Sequence, residues 1–475
     1  MKLLLCCEFY HPSVGGVQEV MRQLAERFVA RGHDVTVATT YLPQRQGDRI
    51  NGVKIAPFRV SGNLARGLEG EVDAYRRFLV ADNYDAILVK AAQQWTFDAM
   101  WEVLGDIRSR KIFIPCGFSG LYEPLFADYF RRMPDVLRAM DHLIFYAEEY
   151  RDIRFAREHG LTHYSILPNG ASEAEFSVPT DPGFRARHGI PEDAFVFLTV
   201  GSLTGVKGHR EILQAFARMK GSPRPLVLLL NGNRHVSPSF AKATPVVQSG
   251  REAAPAPPPG RATRALAFAR AWTEAFADAG RRIREAGRQD GPVAAASLVR
   301  DMVWRAAANS VGLARRLFRP ADHELEYYIR RINAVAGKKK RVLLADLPRA
   351  ELVQAFFNAD LFVFASNIEY SPLVLYEAAA AGLPFVTVPV GNSAEIARWT
   401  GGGWLCPAPV DRWGYTRVRP RELARHMRRA MTDPARLDSL GAAGRANWRE
   451  HFTWDVISRR YEAILATTDA QRPNA

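Results

Sequence analysis

Short unbroken apolar runs alternate along this chain with longer stretches whose apolar residues recur every three or four positions. The first pattern is that of strands buried on both faces, the second that of amphipathic helices. "KLLLCCEFY" reads as a buried strand and "HPSVGG" as a turn. "VQEVMRQLAERFVARG" then puts Val17, Met21, Leu24 and Phe28 on one helical face, with Gly32 as its stop. "DVTVATT" is a second strand. Strand, helix and strand in this order predict a parallel pair joined by a right-handed crossover.

The rhythm continues through the strands "DAILVK" (85–90), "KIFIPCG" (111–117), "DHLIFYA" (141–147) and "YSILPNG" (164–170). Proline and glycine then thicken in "SVPTDPGFRARHGIPEDA", an inter-domain linker. A second alternating unit opens at "FVFLTVGSLTGVKGHREILQAFARM" and runs on through "PLVLLLNGN" (225–233), "RVLLAD" (341–346), "LFVFAS" (361–366) and "FVTVPV" (385–390). The expected organisation is two α/β domains, 1–175 and 190–450, with a closing segment at 452–467. A length of 475 residues, more than one core usually spans, agrees with two domains.

One segment breaks the rhythm. Residues 235–322 open Pro/Ala-rich and continue as two basic amphipathic stretches. In 262–286 the stripe is Phe268, Trp272, Phe276, Ala279 and Ile283, flanked by Arg281, Arg282 and Arg284; in 294–318 it is Val299, Val303, Ala306, Ser310 and Leu317. The chain's formal charge is +14, and residues 234–319 hold 15 Lys and Arg against 6 Asp and Glu, so +9 of that excess is local. Aromatic faces beside arginines suit a helix pair lying on an anionic membrane surface, and equally a hairpin packed on the second domain. No stacking or groove-reading motif accompanies the charge, so nucleic acid is not the expected partner. No apolar run reaches the roughly 18 residues of a membrane span. The opening residues read as a strand rather than a signal peptide, and the four cysteines (6, 7, 116, 406) form no metal or disulfide pattern. The expected location is cytoplasmic, peripheral on the inner face of the plasma membrane.

The chemistry concentrates in "SNIEYSPLVLYEAAAAGLPFVTVPVGNSAEI" (366–396). Ser371 as N-cap and Pro372 at the first helical position predict a helix from Pro372 to Ala381, with Glu377 in its second turn and Glu369 in the loop before it. The loop follows a strand, so it lies at the carboxyl edge of the sheet, where open α/β sheets bind ligands. Helix-start amides favour a phosphate there, and a carboxylate accepts hydrogen bonds from sugar hydroxyls. Taken alone, a glutamate on a helix is usually only solvated.

In context the chain resembles the retaining GT-B glycosyltransferases of family 4. That family carries two glutamates with seven residues between them, then "EAMAAG-PVV" and "GG--E"; this chain has Glu369, Glu377 and "EAAAAGLPFVTVPVGNSAEI" in the same order. "FYHPSVGGVQEVMRQLAERFVARGHDVTVAT", "ILPNGASEAEF", "VGSLTGVKGHREILQAF" and "FTWDVISRRYEAIL" are similar to its opening, its segment before the linker, its second-domain opening and its closing helix. The resemblance implies two Rossmann-like, doubly wound domains facing a cleft, with the basic insertion in the second and a last helix that crosses back to the first. It implies transfer of a sugar from a nucleoside-diphosphate sugar to a glycan or lipid-linked acceptor, with retention, in cell-envelope polysaccharide or glycolipid synthesis, and with no metal or other cofactor. Glu369 would contact the donor sugar, Glu377 the ribose, and Lys207 the diphosphate. Gly15, Gly16, Gly201, Ser202, Ser371 and Leu373 would line the donor site. Two positions depart from the family. Ser202 stands where an arginine is frequent, leaving Arg210 or Arg234 to compensate. The first-domain stretch "VKAAQQWTFDAM" lacks the usual histidine and offers Lys90, Gln93 or Gln94 in its place. These departures support the alternative of a catalytically inert nucleotide-sugar-binding scaffold.

Overall fold

The computed structural model describes residues 1–81, 84–219, 221–232, 321–335, 339–411 and 414–467. The chain forms two compact units, Met1–Asn233 with Tyr328–Ala475, and Arg234–Tyr327. The first unit holds both expected sheets. The stretches expected as helices at 262–286 and 294–318, and Arg234 with them, lie outside the described residues.

The first sheet contains β1 (Lys2–Cys6), β2 (Asp34–Thr40), β3 (Arg49–Ile50) and β4 (Val53–Phe58). A separate hairpin follows, β5 (Val60–Asn63) with β6 (Gly67–Gly70). The sheet is completed by β7 (Ala86–Lys90), β8 (Arg110–Ile114), β9 (His142–Phe145) and β10 (Tyr164–Ile166). Its order is β10-β9-β8-β7-β1-β2-β4-β3, parallel throughout except for β3 against β4. Alternate residues of β1 feed two cores: Leu3 and Leu5 lie on the side of helix Gly16–Ala30, Leu4 and Cys6 on the opposite side. That two-sided burial is why these strands read as unbroken apolar runs.

The second sheet is wholly parallel, in the order β13-β12-β11-β14-β15-β16. Its strands are β11 (Phe195–Val200), β12 (Leu226–Asn231), β13 (Lys340–Ala345), β14 (Leu361–Phe364), β15 (Phe385–Thr387) and β16 (Gly403–Leu405). Each sheet has a point where the winding reverses. In the first it lies between β1 and β7, in the second between β11 and β14. Such switch points open a crevice at the carboxyl ends of the strands. Among the described residues no helix is long and apolar enough to cross a membrane.

Helix Trp454–Ala466 returns to the first sheet. Trp454, Ile457, Tyr461 and Leu465 are buried in the core beneath helix Gly16–Ala30. Arg31 donates to Asp455 (3.0 Å) and Ser458 (2.7 Å), and Arg110 to the carbonyl of Ile464 (3.2 Å).

Candidate active site

The loops after β11 and β14 flank the second sheet's switch point and bring together residues 162 positions apart. Lys207 Nζ donates to Glu369 Oε1 at 2.5 Å, and Ser366 Oγ donates to the same oxygen at 2.9 Å. Both charged side chains keep some exposure, 27% for Lys207 and 16% for Glu369. The lysine loop is held by backbone: Asn367 N–H donates to the Val206 carbonyl at 2.8 Å. Gly208 (φ +70°) turns the chain into helix His209–Arg218, and a Cβ there would lie 1.8 Å from the Ala365 carbonyl oxygen. No side chain fits that approach, so Gly208 is fixed by both conformation and space. Gly201 lies under the stem of Lys207, where an added Cβ would meet its Cβ and Cγ at 3.3 Å.

His209, next along, is 5% exposed. Burial, and then the charge of Lys207, push its imidazole down to about 4, so it is neutral at pH 7. Its Nε2 has no hydrogen-bond partner. Ser202 Oγ lies 3.5 Å from Thr204 Oγ1 and brings no cation. Arg210 sits on the exposed side of the helix that His209 opens.

The helix after Glu369 begins one residue later than its sequence suggests. It runs Leu373–Ala381, and Pro372 itself is the N-cap, with ψ 117° and no capping side chain. Ser371 Oγ is buried and makes no capping bond, while its carbonyl accepts from Asn169 Nδ2 at 3.2 Å. Leu373 packs against the first domain's core.

Glu377 is not next to Lys207. It meets Arg349, at the start of helix Arg349–Asn358, at 2.6 Å, and Arg349 also takes both oxygens of Glu175, at 2.7 and 2.9 Å. Burial raises the Glu377 carboxyl, and Arg349 works against that rise. Burial also draws the Arg349 guanidinium down, but Glu377 and Glu175 more than offset it. The charge of Arg349 reaches Glu19 on helix Gly16–Ala30. Arg349 thus ties Glu377 of the second sheet's helix to Glu175, which follows the first sheet. Gly15 and Gly16 open that first-domain helix. Gly15 is extended (φ 173°), and a Cβ on it would meet only the flexible end of Gln18; a Cβ on Gly16 would meet nothing within 4 Å. Neither glycine is demanded by the chain itself.

In the first sheet, the loops after β7 and β8 carry strained backbone. Ala91, Gln93, Cys116 and Phe118 have φ between +47° and +73°, and among the described residues only Asn51 is another non-glycine with positive φ. Such strain gathers at functional sites. Lys90 is not free to replace a histidine: it is 1% exposed, and its Nζ donates to Tyr146 OH at 2.5 Å. Gln93 Oε1 accepts from Ser119 Oγ (3.1 Å) and Gly120 N–H (3.0 Å). Gln94 Oε1 is buried and unpartnered. Beside them burial pushes Glu8 up to about 7 and Asp98 up to about 6.

Sequence reasoning missed Arg349, Glu175 and Asn169. Arg349 lies in "ADLPRAEL", where nothing marks it, and its partners lie 174 positions before it and 28 after it.

Two family models match the chain, "Glycosyltransferase Family 4" over residues 14–174 and "Glycosyl transferases group 1" over residues 321–447. Glycogen synthase of Mycobacterium tuberculosis is 33% identical over 127 residues, which is 26% of this chain. A putative glycosyltransferase, YtcC, of Bacillus subtilis is 26% identical over 160 residues, 32% of this chain. The chain spans 28% and 37% of the length of these two relatives. Among solved structures, sucrose-phosphate synthase from Thermosynechococcus elongatus superposes with a TM-score of 0.63 at 16% identity, covering 98% of both chains. HepE of Anabaena, in complex with UDP-glucose, superposes with a TM-score of 0.61 at 14% identity, covering 98% of this chain and all of that one. At these identities the structures share the fold.

Proposed function

The chain belongs to the GT-B glycosyltransferases of family 4 type, and from that premise we propose that it moves a sugar from a nucleoside-diphosphate sugar to a glycan or lipid-linked acceptor with retention at the anomeric carbon. The observation that carries this reading is the Lys207–Glu369 pair at the second sheet's switch point. In the transfer, the bond from the anomeric carbon to the diphosphate oxygen breaks as a bond to an acceptor hydroxyl oxygen forms, and the hydroxyl proton passes to the departing diphosphate. Negative charge grows on the departing diphosphate and positive charge on the sugar. Lys207 and the amides that open helix His209–Arg218 suit the first, and Glu369 suits the sugar hydroxyls. Glu377 takes the ribose. Gly16 leaves open space for a ligand at the mouth of the first domain. The strained edge at Gln93 and Phe118 faces the acceptor. Residues 262–318 supply the anionic-membrane contact of an envelope enzyme.

The test is a thermal-shift panel of nucleoside diphosphates and their sugars, followed by turnover. A donor present at 100 times its Kd stabilises the fold by about 2.7 kcal/mol. Glu369→Gln should keep the nucleotide-induced shift and lose turnover by at least about 100-fold. Binding without turnover in the wild type would leave the inert scaffold as the correct reading. No shift with any nucleotide refutes both. Flotation with anionic vesicles, compared before and after removal of 262–318, checks the membrane contact; equal binding sinks it.

A further inference from the structure

Tyr370, the residue after Glu369, packs into the other domain. Its ring lies against Tyr146 (centroids 5.5 Å, planes 25° apart) and Tyr150 (4.9 Å, 40°), both from the segment that follows β9. Gly117, at φ +89°, makes the slot possible. A Cβ there would stand 2.9 Å from the Tyr150 ring and 3.0 Å from the Tyr370 ring. The Tyr370 hydroxyl accepts the Tyr146 N–H at 2.9 Å, and the Tyr150 hydroxyl donates to the Glu369 carbonyl at 2.9 Å. On the far side the Tyr370 carbonyl accepts from Asn392 N–H at 2.8 Å, and Asn392 Nδ2 donates to the Tyr146 carbonyl at 2.7 Å. Gly391 permits this approach, because a Cβ there would lie 2.2 Å from that Tyr370 oxygen. Glu395 closes the seam by accepting the N–H groups of Glu148 and Glu149 at 2.7 and 2.9 Å.

The backbone of Glu369 is therefore fixed by the first domain, while its side chain meets Lys207 of the second. We infer that Tyr370 and Tyr150 are positioning residues: the seated Tyr370 ring and the Tyr150 hydroxyl set the aim of the Glu369 carboxylate, so the donor carboxylate is aligned only while the two sheets are docked at this seam. The inference rests on the reading of Glu369 as the donor-sugar carboxylate. Its consequence is that docking of the acceptor domain readies the donor, which ties the two halves of the reaction together without any contact between acceptor and Glu369.

The test uses the full chain with Tyr150→Phe, Tyr370→Phe and Glu369→Gln, and Tyr150→Phe combined with Glu369→Gln. The readout is release of nucleoside diphosphate from UDP-glucose, GDP-mannose, ADP-glucose and UDP-N-acetylglucosamine, taking the best donor. Each Phe variant keeps its ring; Tyr150→Phe loses the bond to the Glu369 carbonyl, and Tyr370→Phe loses the bonds to Tyr146 N–H and to the Asp152 carboxylate. The expected result is a kcat lower by about tenfold with the donor KM within about twofold. In the double variant Tyr150→Phe should add nothing to the loss caused by Glu369→Gln, because it acts through that carboxylate. Multiplicative losses, or an unchanged kcat in both Phe variants, overturn the positioning role while leaving the glycosyltransferase reading intact. Normal turnover in Glu369→Gln overturns the reading on which both rest.

Discussion

Replacing Gly208 by alanine probes what holds Lys207 against Glu369. Gly208 has φ +70° and ψ 11°, and the new Cβ would lie 1.8 Å from the Ala365 carbonyl oxygen and 2.4 Å from its carbon. Both atoms are backbone of the segment that leads from β14 to Glu369, so no rotamer relieves the contact. The left-handed conformation alone costs an alanine about 1–2 kcal/mol, and forcing extra volume into packed structure about 1–3 kcal/mol more. The expected loss is thus about 2–5 kcal/mol in urea unfolding, with m unchanged. Gly160→Ala is the control: its φ is +68°, and nothing lies within 4 Å of its Cβ position. It should cost only the conformational term, about 1–2 kcal/mol. The loop must also move, so the Gly208 variant should lose most of the nucleotide-induced thermal shift, which Gly160→Ala keeps. Equal destabilisation in the two variants, with the shift retained in both, refutes the claim that this close approach sets the lysine.

His209 gives a pH signature. Its folded-state pKa, about 4, lies below its ordinary value of 6.5, so its contribution is whole above pH 6.5 and disappears as pH falls towards 4. The wild type should lose about 3 kcal/mol across that window relative to His209→Gln, read as the difference between two Tm–pH curves; parallel curves contradict a buried neutral imidazole. Arg349→Ala should cost about 1–3 kcal/mol, discounted from a fully buried pair because the arginine side chain is 41% exposed. The same replacement made on a Glu175→Gln background should cost less, because the partner is already gone; additive urea-unfolding energies would deny the coupling.

Much of the architecture was readable because strands such as β1, β7 and β12, buried on both faces, carry no polar interruptions. The strands that escaped notice are short or half exposed: β3, β5 and β6 are two to four residues each, and Pro57 lies inside β4. Glu369 and Lys207 could be picked out from resemblance and from their place after strands. Their mutual contact, and the Arg349–Glu175–Glu377 network, depend on which strands neighbour each other, which local periodicity does not carry. Ser371 shows a local rule overridden: a serine before proline is a good cap by type, but here the chain stays extended through Pro372, and the Ser371 side chain makes no capping bond to the helix start. Tyr370 looks like any loop tyrosine, because the slot that receives it is made by residues more than 200 positions earlier.

The return of helix Trp454–Ala466 means that the first domain is finished only after the whole second sheet has been made. Its sheet strands are all synthesised by residue 166, yet the groove beside Leu3, Leu5 and Leu88 stays open until Trp454, Ile457, Tyr461 and Leu465 arrive. At 5–20 residues per second that delay is roughly 15–60 s, during which an apolar trench faces water or a chaperone. A nascent chain thus carries a visible sign of incompleteness on its first sheet, and the sign is erased only when synthesis has passed through the second sheet. A product cut short before its final helix keeps the open trench, however well its second sheet has folded.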